Sequence, residues 1–150
     1  MKTVKTVKTT FTTIVLMTLW LNSYSQLSVT SYSIYSLGIN TNQNKRVSGE
    51  LKTFTNRAFE DLLLEADLFY NFRPSAYHRF SIGAGLNFAP FYGFDILNAF
   101  TFPAQLEIYP LQEFRQLSLM FELAPEFYVE GEAHLRSLWG IRYLFGNPKE

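Results

Sequence analysis

Between Leu62 and Phe88 apolar and polar side chains alternate with a period of two. On the first run Leu64, Ala66, Leu68, Tyr70 and Phe72 share one face, and Leu63, Glu65, Asp67, Phe69 and Asn71 share the other. After the turn-forming Arg73-Pro74-Ser75-Ala76, the residues Phe80, Ile82, Ala84, Leu86 and Phe88 oppose Arg79, Ser81, Gly83, Gly85 and Asn87. Successive side chains of a strand point to opposite faces, so each run predicts a strand with one apolar and one polar side, and the two together an antiparallel hairpin.

The same rhythm returns along the chain. Leu27 to Asn40 predicts a strand whose clearest outer positions are Tyr35, Leu37 and Ile39, and Val47 to Thr55 alternates more weakly, with Glu50 and Lys52 against Leu51, Thr53 and Thr55. The alternation stops at Phe88, where Ala89-Pro90-Phe91 opens a longer aromatic loop expected to run to about residue 101. It resumes with Phe102, Ala104, Leu106 and Ile108 against Gln105, Glu107 and Tyr109. Leu117 to Val129 sets Leu119, Phe121, Leu123 and Phe127 against Ser118, Met120, Glu122 and Glu126, with Pro125 read as an edge or bulge on the apolar side. Leu135 to Phe145 sets Leu135, Trp139, Ile141 and Tyr143 against Arg136, Leu138, Gly140 and Arg142. No long stretch after residue 25 has a helical period, so the fold class is all-β.

Both a soluble barrel and a membrane barrel generate this alternation, and three features favour the membrane. The apolar faces are long enough for tilted spanning strands, which take about 9–11 residues. Aromatic residues gather at strand ends, as Tyr70 and Phe72 or Tyr143 and Phe145, where interfacial girdles lie. Short connections alternate with longer ones. The expected architecture is therefore a small antiparallel up-and-down transmembrane β-barrel. The pattern yields seven strand segments, but a single-chain bacterial barrel has an even number and both ends on one side. About eight strands are expected, the additional one lying within 27–60 or arising from a split at Pro125.

Inside such a barrel Glu65, Asp67, Glu107 and Glu122 would face Arg79, Arg136 and Arg142. A lumen of about eight strands is just wide enough for side chains. Charges held there must find opposite partners or hydrogen bonds, so the expectation is a packed polar plug and not a channel.

The N-terminus changes the picture further. Lys2, Lys5 and Lys8 precede an apolar stretch from Phe11 to Leu21, and Ser23-Tyr24-Ser25 offers a small-x-small cleavage site before Gln26. Residues 1–25 are read as a cleaved signal peptide and 26–150 as the barrel domain. The three lysines are the only charges of that segment, so the chain's 13 basic and 13 acidic residues become 10 and 13 after cleavage. That balance does not suggest a nucleic-acid binder. An exported domain with no cysteine is expected to hold itself by a large core or by closure of its sheet.

The signal end Ser23-Tyr24-Ser25-Gln26, the glycine strand Phe80-Ser81-Ile82-Gly83-Ala84-Gly85-Leu86 and the closing Leu138-Trp139-Gly140-Ile141-Arg142-Tyr143-Leu144-Phe145 resemble small outer-membrane β-barrel proteins of the Bacteroidetes type. The resemblance spans most of residues 30–145. It implies a Gram-negative outer-membrane location, contact with outer-membrane lipid and delivery by the barrel assembly machinery. Barrels of this group usually end on an aromatic; here Phe145 is followed by Gly146-Asn147-Pro148-Lys149-Glu150.

As to chemistry, the motifs of the resemblance are generic and carry no activity. Two histidines and no cysteine make no metal-ligand cluster, and neither a phosphate loop nor a nucleophile elbow is present, so no catalytic, cofactor or metal site is assigned. A structural or interaction role is expected. One alternative is a soluble exported lipocalin-like barrel with Leu64, Leu68, Ile82, Leu86, Leu106, Ile108, Leu119 and Phe121 around an apolar ligand. A remote one is a lipid A-modifying enzyme using His134 with Ser137 and Glu132, or His78; residues three apart on a strand face opposite ways, so that site would need a loop.

Overall fold

The computed structural model describes residues 27–41, 45–55, 62–91 and 96–146; residues 1–25, read above as a signal peptide, and the 147–150 tail lie outside the described residues. In chain order the strands are β1 (Ser28–Tyr32), β2 (Ser36–Asn40), β3 (Val47–Phe54), β4 (Leu63–Asn71), β5 (His78–Phe88), β6 (Leu97–Thr101), β7 (Ala104–Ile108), β8 (Leu117–Tyr128) and β9 (Ala133–Leu144). Among the described residues there is no helix. Sequential neighbours pair antiparallel, except that β6 and β7 each pair with β5 and β8 and not with each other, and β9 returns to pair with β1, which closes the sheet.

β6 and β7 are two halves of one strand. Both lie between β5 and β8 and keep one register with each across the break, since Phe100 is opposite Leu86 and Phe127, and Leu106 is opposite Phe80 and Phe121; the register shifts only at the start of β6, by a bulge at Asn87/Phe88. The wall is thus a closed eight-stranded antiparallel barrel. The interruption falls where Pro103 and Pro125 remove two ladder donors on neighbouring strands. Their carbonyls still accept, from Gly83 N at 2.8 Å and Phe102 N at 3.0 Å, and the register carries through. Pro125 therefore marks neither an edge nor a bulge. Residues 97–101, expected to belong to a loop, are drawn into strand conformation by partners on both sides.

The additional strand lies in the segment read as one, Leu27 to Asn40. Ser33-Ile34-Tyr35 turns the chain so that Tyr32 pairs with Ser36. Three-residue hairpin loops end on a left-handed residue, usually glycine; here Tyr35 takes that conformation, with φ 41°. Its carbonyl accepts from both the backbone N (3.0 Å) and the hydroxyl of Thr55, which pins the turn to the end of β3. With eight strands both ends of the barrel chain fall on one side, where Phe145 N donates to Leu27 O at 2.8 Å. The 41–46, 72–77 and 109–116 connections share that terminal side, and the other four connections lie opposite.

Tracing paired residues once round the wall measures the stagger. From Tyr143 the path runs through Val29, Ile39, Leu51, Ala66, Leu86, Phe100 and Phe127, and re-enters β9 at Ala133 instead of Tyr143. A return displaced that far goes with strands tilted by roughly 35–45°. Every residue on this path points outward. The parity of the whole barrel follows: Leu68 (63 % exposed), Trp139 (61 %) and Leu135 (69 %) stand on the outside, while Lys52, Glu65 and Glu122 are sealed within.

Candidate functional site

The inward faces of the strands build the site. All seven residues anticipated for the lumen, Glu65, Asp67, Arg79, Glu107, Glu122, Arg136 and Arg142, point into it. They form two clusters. The first centres on Lys52, fully buried, whose Nζ lies 2.9 Å from Glu65, 2.8 Å from Asp67 and 2.8 and 2.7 Å from the two oxygens of Glu122. Arg136 completes it with a bidentate grip on Glu65 (2.7 and 2.6 Å), reaching also Glu122 at 3.1 Å and Glu126 at 2.5 Å. Four carboxylates are thus shared between two cations.

The second cluster lies nearer the terminal side. Glu107 accepts from Arg79, from the Ser118 hydroxyl at 2.5 Å and from Arg142 at 3.5 Å. Arg142 also donates from Nε to Thr30 Oγ1 at 2.7 Å and approaches Glu50 at 3.5 Å. Gln105 ties the two clusters together, its Nε2 lying 2.7 Å from both Glu50 and Glu122, and Tyr32 adds a hydroxyl bond to Glu50 at 2.7 Å. At that end Arg115 stacks on Tyr109, 5.5 Å from the ring centre. Burial first and the Glu107 charge second push the Tyr109 phenol up to about 12, so it stays neutral and adds no charge to the plug.

Aromatic rings also line the network. Tyr32 and Phe69 each lie 5.8 Å from the Lys52 ammonium, and Phe54 lies 5.0 Å from the Arg136 guanidinium. Such contacts favour a desolvated cation over the ring face. Tyr32, Phe54, Met120 and Leu138 pack on one another as a small apolar layer inside the barrel. Gly85 makes room for the acids: a Cβ there would run into the Asp67 carboxylate and stand 2.7 Å from the Thr101 hydroxyl. The glycines of β5 thus relieve crowding in the lumen.

Lys52, Glu50, Glu126, Gln105 and Tyr32 complete the network beyond the seven anticipated residues. The signal for Lys52 was its parity with Glu50, but nothing in the chain pointed to it as the hub. Among the described residues no group of three or more His, Asp or Glu side chains is arranged to hold a metal ion. The carboxylates that converge here hold the ammonium of Lys52. His134 and Ser137 stand on opposite faces of β9, which already begins at Ala133, and the His134 ring packs edge-on against Tyr128 at 5.5 Å.

Arg142→Leu is expected to cost about 1–3 kcal/mol, the loss of charge-assisted bonds whose acceptors keep other partners. Glu107 retains Arg79 and Ser118, and Glu50 retains Tyr32 and Gln105. A urea titration of the refolded barrel measures it, and an unchanged midpoint would remove Arg142 from the network. Comparison of the chain with family models, curated proteins and solved structures found no match.

Proposed function

We propose that this protein is a small outer-membrane β-barrel, exported by a cleaved signal peptide and delivered by the barrel assembly machinery, that serves a structural or interaction role and not a catalytic one. One observation carries the reading: the polarity of the barrel is the inverse of a water-soluble domain. Arg142, Lys52, Glu65 and Glu122 are among the largest fully buried side chains, while a continuous outer wall of Leu, Ile, Phe and Trp is exposed. Soluble monomers rarely expose contiguous apolar patches beyond a few hundred Å², whereas lipid is the natural solvent for such a wall.

The packed lumen argues for a plug. Its carboxylates and cations pair with one another across the bore, so the charged middle of the lumen is filled by side chains. An apolar ligand inside would have to displace these ion pairs, because Leu68, Ile82, Leu86, Leu106, Leu119 and Phe121 face outward and cannot line a cavity for it.

The test is migration on an unboiled gel. After detergent extraction the chain should run as a compact species before heating and as an unfolded one after, and it should stay with the membrane fraction under osmotic shock. Release without detergent as a monodisperse soluble protein would overturn the membrane reading.

A further inference from the structure

The terminal rim of the barrel carries cations that the lumen does not use. Lys45 and Arg46 precede β3, and Arg73 follows β4 in the neighbouring connection. None of the three is ion-paired among the described residues, in contrast to Lys52, Arg136 and Arg142. They line a cavity of about 360 Å³ together with Tyr70, Asn71 and Phe72.

The cavity is built by the end of the β3–β4 ladder. Asn71 N donates to Arg46 O at 2.8 Å, and the Asn71 side-chain amide donates to Lys45 O and to Ser48 Oγ, each at 2.9 Å. These bonds hold the 45–46 backbone beside the start of the 72–77 turn, so the three positive side chains rise from one place. Directly adjoining, Tyr70 and Phe72 point outward and meet edge to face at 5.3 Å, and Phe72 lies 5.6 Å from Phe80. The apolar outer wall therefore runs without a break into a positively charged hollow at its rim. The opposite rim has Glu130 and Glu132 in the β8–β9 turn.

An occupant that satisfies both halves has a negative head and an apolar tail. A free anion would use only the cations, and an apolar molecule only the rings. We infer that this hollow binds the headgroup of an anionic phospholipid, with its phosphate among Lys45, Arg46 and Arg73 and its acyl chains lying along Tyr70, Phe72 and Phe80. The inference rests on the membrane reading above. Bound lipid at one rim only would also fix which side of the barrel faces which leaflet.

The test offers the full chain, folded in detergent micelles, an equimolar mixture of phosphatidylglycerol and phosphatidylcholine with identical acyl chains, and counts retained lipid by native mass spectrometry. Phosphatidylglycerol should be retained preferentially, by about tenfold or more, since each cation beside an anionic lipid is worth roughly fivefold. Lys45→Gln, Arg46→Gln and Arg73→Gln combined should bring the two lipids to parity, while Arg115→Gln, on the same rim outside the hollow, should leave the preference intact. No preference in the native chain, an equal loss with Arg115→Gln, or displacement of the lipid by inorganic phosphate would each overturn the headgroup site. Failure to form a heat-modifiable barrel at all would instead strike the membrane reading, and the unboiled gel run on the same sample separates the two.

Discussion

Replacing Lys52 with methionine is expected to destabilise the barrel by about 3–5 kcal/mol, the range for removing one partner of a buried ion cluster. Folded domains are stable by only about 5–15 kcal/mol, so this is a large fraction of the whole. The reason lies in how unevenly the four acids of the cluster are left. Glu65 keeps its bidentate bond to Arg136, and Glu122 keeps Arg136 and Gln105. Asp67 keeps only the Thr101 hydroxyl at 3.2 Å and has no water to turn to. An uncompensated buried carboxylate costs far more than the bond that was lost. The second half of the expectation follows: adding Asp67→Asn to Lys52→Met should recover roughly 1–3 kcal/mol, although an Asp67→Asn change alone destabilises the native barrel. Urea midpoints of the four proteins, read from the compact band on unboiled gels, close the double-mutant cycle. A double variant no more stable than Lys52→Met would mean that the lysine acts by filling space and not by charge.

Why Lys52 had to wait for the structure is a matter of register. The faces themselves were legible wherever one parity is uniformly apolar, as in β4, where Leu68 and Tyr70 flank the inward Phe69, and in β8, where Leu119, Phe121 and Leu123 leave Met120 and Glu122 no choice of side. In β3 the outward residues include Thr53 beside Leu51, so the contrast is shallow, and Lys52 shares the polar parity of Glu50 without anything to mark it as a centre of charge. That Lys52 stands opposite Glu65 depends on pairing across the β3–β4 connection, and that it meets Glu122, 70 positions along, depends on closure and stagger together. Neither is written in local periodicity. The β1–β2 turn was hidden for a different reason. Its left-handed position holds Tyr35 where glycine or asparagine would have announced a bend, and the strain is met by the exposed setting of the ring and by the bonds from Thr55. β6 was hidden by its partners: Leu97-Asn98-Ala99-Phe100-Thr101 alternates too weakly to signal a strand beside Pro103, and only the ladders from β5 and β8 make it one. Polar parity thus located the site, while the hub within it came from tertiary geometry.

The same dependence on closure makes Gly140→Val the most disruptive single change expected. Gly140 lies on the inward parity of β9, between Leu138 and Arg142, and pairs with Tyr32 across the β1–β9 seam. A Cβ at that position would collide with the carbonyl oxygen of Ser31 and stand 3.0 Å from Tyr32 Cα and 3.1 Å from Ser31 C. These are main-chain atoms, so no side-chain rotation relieves the contact, and β1 itself must move. The seam is only as long as β1, five residue pairs from Ser28 with Leu144 to Tyr32 with Gly140, and it is the step that turns a sheet with two edges into a barrel with none. Gly140→Ala is expected to cost more than the roughly 1–3 kcal/mol typical of an overfilled interior, and Gly140→Val, with two further methyl groups, to abolish the compact species on unboiled gels. Two comparisons isolate the cause. Gly49→Ala in β3 should be tolerated, because a Cβ there meets Asp67 O at an ordinary 3.7 Å. Gly85→Ala should fall between, since the obstructing Asp67 carboxylate can swing aside, though only by loosening its hold on Lys52. If Gly140→Val keeps the compact band and an unshifted urea midpoint, the approach of β9 to β1 is not what holds the barrel shut.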